Sequence, residues 1–96
     1  MPASPLSASE IGARLASVQP WQLEKGELAC AFSFADFRAA LAFVNQVGEL
    51  AESAGHHPDI DIRYNKVRLA LVTHDAGGIT AKDFELAAKI NGLQTA

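Results

Sequence analysis

The sequence is short of the residues from which several kinds of protein are built. Cys30 is the one cysteine in 96 residues, which excludes an internal disulfide framework and a zinc site built on cysteines. Basic residues are few and scattered: eight Lys and Arg against eleven Asp and Glu give a net charge of −3. That leaves neither the electrostatic footprint of a nucleic-acid binder nor a basic stripe for a membrane surface. No apolar run approaches the roughly 20 residues that span a bilayer. The opening Met1-Pro2-Ala3-Ser4-Pro5 lacks the basic and apolar regions of a secretory signal, so the expected location is cytoplasmic. Internal repeats and low-complexity segments are missing too.

What is present suits one folded domain. Apolar residues make up 49% and charged residues 20%, proportions of a packed globule rather than a disordered chain. Residues 1–5 read as a disordered lead-in and 6–96 as a single domain. A core this small stabilises a chain only modestly, which makes self-association a standing option. Cys30 lies in an alternating apolar run and reads as a small buried hydrophobe.

Helix signals open the chain. Ser7 and Glu10 form a capping box, with Leu6 and Ile11 placed to staple across it. Ile11, Leu15 and Val18 carry the stripe to Pro20, which stops the helix. Strands over 21–24 and 27–34 follow, turning at Lys25-Gly26; a two-residue loop sets Leu23 opposite Leu28 and Trp21 opposite Cys30. A second helix is expected over 36–54, with Phe37, Ala40, Leu41, Val44, Val47 and Ala51 on its core face. Gly48 within it is a candidate for a close helix–sheet or subunit approach, and Gly55 is expected to supply a left-handed stop. A second hairpin is expected over 58–64 and 67–74 around Asn65-Lys66. A third helix begins at Thr80 as N-cap, with Asp83 at N3 and Ile79 and Phe84 as staple. Phe84, Ala87, Ala88 and Ile90 or Asn91 line its inner face, and Gly92 ends it. The order α-β-β-α-β-β-α predicts an α+β fold: a four-stranded antiparallel sheet with the helices packed on one face.

The three histidines converge in this scheme. With the turn at Asn65-Lys66, Tyr64 opposes Val67, and Ile60, Ile62 and Tyr64 face Leu71, Leu69 and Val67 toward the helices. His57 then falls opposite His74, a cross-strand spacing of about 5 Å between Cβ atoms. His56 joins from the helix exit, and Glu52, four residues before it, is positioned to orient an imidazole. Asp61, Arg63, Arg68, Ala70 and Val72 fall on the far face, where Arg63 opposing Arg68 is relieved by diagonal Asp61. That face reads as solvated or as an oligomer contact. Clustered imidazoles suit proton transfer near neutral pH. Zinc also fits three histidines, but adjacent His56-His57 lacks the helical i, i+4 spacing, so acid–base chemistry ranks above metal and above an incidental surface grouping.

At these residues the sequence resembles pterin-4a-carbinolamine dehydratases. The shared pattern runs Glu52, three residues, His56-His57-Pro58, Tyr64, His74, and then Asp83. Tyr64-Asn65-Lys66-Val67, the run from Thr73 to Thr80, Trp21 and Phe34-Ala35-Asp36-Phe37 are similar as well, extending the likeness from about Leu6 to Asn91. One departure is Ile60, where many relatives carry Trp; alternation points Ile60 into the core. The resemblance implies a hydro-lyase that dehydrates 4a-hydroxytetrahydropterin to quinonoid dihydropterin, recycling the cofactor of an aromatic amino acid hydroxylase. It implies His56 and His74 in proton transfer and His57 in binding and orienting the pterin, with no metal or redox cofactor. Glu52, Gly55, Val72, Thr73 and Asp75 are expected to form the substrate wall. A homodimer or homotetramer is implied. The alternative from the same fold is a non-enzymatic assembly or dimerisation module, whose members typically lose one or more histidines.

Overall fold

The computed structural model describes residues 4–93; the remainder of the expected lead-in and the last three residues of the expected domain lie outside them. Each helix starts where a side chain satisfies free backbone N–H groups of its first turn. Helix α1, Ala8–Leu15, opens on the expected box: Glu10 N–H donates to Ser7 Oγ at 3.1 Å and Ser7 N–H to Glu10 Oε1 at 2.9 Å. Those bonds favour the ionised carboxylate and lower its pKa. A 3-10 turn, Ala16–Val18, follows. Just before α1, Leu6 N–H donates to Ile79 C=O at 2.8 Å.

Strands β1, Gln22–Glu24, and β2, Glu27–Ser33, form the first hairpin with Leu23 opposite Leu28, the expected register. Lys25 and Gly26 take φ of 49° and 80° at its turn, the backbone that an Ile or Val would resist. Trp21 precedes the strand, buried, its indole N–H donating to Asn91 Oδ1 at 2.9 Å.

Helix α2, Phe37–Ala54, is capped by the Asp36 carboxylate, which accepts Ala39 N–H at 2.8 Å, and ends at Gly55 with φ 63°. Its buried face is Ala40, Phe43, Val47 and Ala51, with Val44 half-buried. Phe37 and Leu41, expected in the core, are instead 47% and 39% exposed. Phe43 was not expected there; it packs its ring 4.8 Å from Phe32 and 4.9 Å from Phe34. The apolar arc of α2 is wider than the sheet can cover, and Phe32 and Phe34 decide which part of it is buried.

Strands β3, Asp59–Arg63, and β4, Lys66–Leu71, complete an antiparallel sheet in the order β1-β2-β4-β3. Their register differs from the expected one by two residues: Ile60 opposes Leu69, Ile62 opposes Val67 and Asp61 opposes Arg68. The turn falls on Tyr64-Asn65. Asn65 is claimed by Phe34, the residue after β2, accepting its N–H at 2.9 Å on the Asn65 C=O and donating from its side chain to Phe34 C=O at 2.8 Å. Tyr64 takes the positive φ, 54°, and is 65% exposed. A shift of two keeps every side chain on its expected face, yet Ile60 sits on the edge strand and stays 40% exposed rather than in the core. The expected Arg63–Arg68 opposition does not form. Arg63 opposes Lys66 and bonds Asp61 at 3.1 Å, while Arg68 reaches Glu24 at 2.8 Å.

Helix α3, Ala81–Gly92, starts at the expected Thr80–Asp83 box; Gly92 is its last residue rather than its stop, and Leu93 caps it in the right-handed conformation. Leu86, not expected, is buried, and Ala88 is exposed. The core lies between the helices and one sheet face. Leu28, Cys30, Phe32, Val67, Leu69 and Leu71 meet Ile11, Val18, Val47, Phe84, Leu86, Ala87 and Ile90 there. Burial pushes the Cys30 thiol pKa up to about 11, in keeping with a structural role. The architecture is the α+β fold of three helices and a four-stranded antiparallel sheet.

Candidate active site

Three chain segments meet at one end of the sheet. The first is the exit of α2. Gly55 in the left-handed conformation donates to Ala51 and Glu52 C=O, and His56 N–H donates to Ala51 C=O at 3.1 Å, which satisfies carbonyls at the helix end. The reversal places His56 inward and His57 outward. The second is a compact loop after β4. Thr73 N–H donates to Gly78 C=O at 3.0 Å and Gly78 N–H returns to Thr73 C=O at 3.3 Å, enclosing a 3-10 turn, His74–Ala76, with Gly77 at φ 78°. The third is the first turn of α3.

Between them lies an open cavity of about 280 Å³, lined by Gly55, His56, His57, Val72, Thr73, His74, Asp75 and Lys82. All three histidines and four of the five expected wall residues are therefore brought together. Glu52 does not line the cavity; its Oε2 lies 2.5 Å from His57 Nε2, an exposed pair with side chains 76% and 61% accessible. Lys82 was not expected from the sequence, and only its position in the first turn of α3, two residues after the N-cap, hinted at it.

The geometry corrects the expected rung. β4 ends at Leu71 and β3 begins at Asp59, paired with Ala70, so His57 and His74 are not cross-strand neighbours. His74 stands on the 3-10 turn instead, exposed to the cavity mouth. The cluster is gathered by a helix stop and a loop, not by a ladder.

His56 has a partner of another kind. Its side chain is 12% exposed, and Nε2 lies 2.5 Å from Oδ1 of Asp83, which is fully buried. Asp83 Oδ2 accepts the Thr73 hydroxyl at 2.9 Å and Thr80 N–H at 2.9 Å. A carboxylate only accepts, so a neutral His56 carries its hydrogen on Nε2 and leaves Nδ1 free in a ring that lines the cavity. This pairing replaces the expected one with Glu52. The i, i+4 spacing of Glu52 and His56 meets only if the helix continues, and Gly55 ends it one residue too early. Among the described residues no group of three or more His, Cys, Asp or Glu side chains is placed to hold a metal ion.

Fold and cavity thus define a small α+β domain carrying an Asp-supported histidine site. Residues 4–93 match the family described as pterin 4 alpha carbinolamine dehydratase, and the chain belongs to that family. Among its relatives is a protein of Acidobacterium capsulatum named "Putative pterin-4-alpha-carbinolamine dehydratase", 60% identical over 88 residues, covering 92% of this chain and 96% of that one. One of the same name from Chloroflexus aurantiacus is 62% identical over 88 residues, covering 92% and 95%. A crystal structure of a transcriptional coactivator/pterin dehydratase from Brucella melitensis superposes with a TM-score of 0.89 at 33% identity, covering 94% of this chain and 98% of that one. A pterin dehydratase-like protein, identified as a RuBisCO assembly factor in the alpha-carboxysome, aligns at 0.64 and 25% identity over 76% and 87%.

Proposed function

We propose that this protein dehydrates a 4a-hydroxytetrahydropterin to the quinonoid dihydropterin and water, in the recycling of a tetrahydropterin cofactor. The reading is carried by the convergence of His56, His57 and His74 on one cavity in a chain of the dehydratase family. Loss of water needs a proton delivered to the departing 4a-hydroxyl and another removed from the ring nitrogen. Two imidazoles lining one cavity can do both near neutral pH. His56, through Nδ1, and His74 exchange those protons, and His57, steadied by Glu52, binds and orients the pterin. Gly55, Val72, Thr73 and Asp75 shape the wall. A volume of about 280 Å³, just under the range of drug-sized pockets, suits a fused bicyclic ring. The enzyme is proposed to act in the cytoplasm as a homodimer or homotetramer, downstream of an aromatic amino acid hydroxylase.

The test is a stopped-flow assay of carbinolamine generated in situ. Wild-type protein is expected to accelerate dehydration, and His74→Ala to slow it by roughly 10²–10⁴-fold, the size of a general acid–base contribution. Wild-type protein giving no acceleration defeats the proposal.

A further inference from the structure

Behind His56 runs a chain of hydroxyls whose direction is forced. Each threonine hydroxyl has one hydrogen to give. Thr73 Oγ1 lies 2.9 Å from Asp83 Oδ2, and because the carboxylate only accepts, the Thr73 hydrogen points at it. Thr80 Oγ1 lies 2.8 Å from Thr73 Oγ1, so the Thr80 hydrogen is the one shared between them. Thr80 Oγ1 in turn accepts Lys82 N–H at 3.2 Å. With Thr80 N–H also on Oδ2, that oxygen is held by two donors and Oδ1 is left to His56. Thr73, Thr80 and Asp83 are 7%, 1% and 0% exposed. Water has little access to replace a missing donor, so the carboxylate depends on the protein for its orientation.

Thr73 has no hydrogen left to donate to a ligand. Its N–H bonds Gly78, its C=O accepts from Ala76, Gly77 and Gly78, and its hydroxyl is committed to Asp83. Thr80 does not line the cavity at all. We propose that Thr73 and Thr80 are positioning residues: their ordered hydroxyls lock the Asp83 carboxylate, which fixes His56 as the Nε2–H tautomer and presents Nδ1 as its proton-exchanging atom. The kinetic consequence rests on the dehydratase reading; the tautomer does not.

The experiment uses the full-length, ¹⁵N-labelled protein at about pH 8.5, where ordinary imidazoles are neutral. Long-range ¹H–¹⁵N correlations separate protonated from unprotonated ring nitrogens by their widely different shifts. In the wild type, His56 is expected to show one tautomer, Nε2 protonated, with slow exchange of that hydrogen. Thr73→Val, close to isosteric, is expected to give mixed tautomers and fast exchange, and Thr73→Ser to restore the wild-type pattern. Thr80→Val is the second variant, should Thr73→Val fail to fold. As Thr80 cannot touch a ligand, its loss is expected to lower kcat about 5- to 10-fold, the equivalent of one hydrogen bond, with KM unchanged. Wild-type His56 spectra in a folded valine variant overturn the positioning role, as does a wild type already carrying the Nδ1–H tautomer. Absence of dehydratase activity in the wild type counts against the proposed function alone and leaves the spectra to decide the positioning role.

Discussion

At the scale of single residues, the site turns on Asp83, whose carboxylate meets an imidazole on one oxygen and two donors on the other. Asp83→Asn makes the point testable. The amide oxygen can still take the Thr73 hydroxyl and Thr80 N–H, but its NH₂ then faces His56 Nε2, which must turn acceptor. The ring hydrogen moves to Nδ1, which changes from acceptor to donor. We expect a folded protein destabilised by about 1–3 kcal/mol through loss of charge-assisted bonds, with dehydratase activity down roughly 10²–10⁴-fold. Urea denaturation and the stopped-flow assay check the two halves, and near-wild-type activity would remove Asp83 from the chemistry. The sequence displayed Asp83 twice, as the N3 residue of a capping box and as the last member of the family pattern. Neither view paired it with His56. Spacing along the chain cannot reveal a contact across 27 residues that depends on how a helix stop and a helix start are packed.

At the scale of elements, the helices were legible because their ends are written in local chemistry. Ser7-Glu10, Gly55 and Thr80-Asp83 all act where the sequence placed them. The second hairpin was less so. Turn preference alone favours Asn65-Lys66, and what overrides it is a tertiary claim, the pair of hydrogen bonds between Asn65 and Phe34, which follows β2 and lies 31 positions earlier. Helix faces failed in the same way. Phe37, Leu41 and Phe43 are equally apolar, and only the rings of Phe32 and Phe34 choose among them. The stop of α2 offers the sharpest test of an element. A Cβ on Gly55 meets nothing within 4 Å, so the penalty at φ 63° is conformational. Gly55→Ala is expected to cost about 1–2 kcal/mol, read by urea denaturation, and Gly55→Asn less, because Asn tolerates the left-handed region. Equal stability of all three proteins would show that the helix stop is not under this constraint.

At the scale of the whole molecule, α2 carries more apolar surface than its own sheet uses. Phe37 and Leu41 are exposed and Val44 and Gly48 half-buried, at spacings of four, three and four residues, which puts them along one arc of the helix. Gly48 has open space where a Cβ would stand, so a second helix can approach closely there. Continuing the arc by one turn reaches Glu52, the partner of His57. A second copy laid along this stripe would bury two large apolar side chains, whose exposure in a monomer is costly. It would also withdraw water from the Glu52–His57 contact, which contributes little while solvated. We expect sedimentation equilibrium at micromolar concentration to give a mass above that of the 10.2 kDa chain. The double variant Phe37→Glu, Leu41→Glu is expected to sediment as a folded monomer, with a higher KM because His57 loses a firmly held Glu52. Wild-type protein that runs as a monomer at these concentrations rules this surface out as a self-association face. An associating variant would move the contact elsewhere, to the exposed edge strand β3.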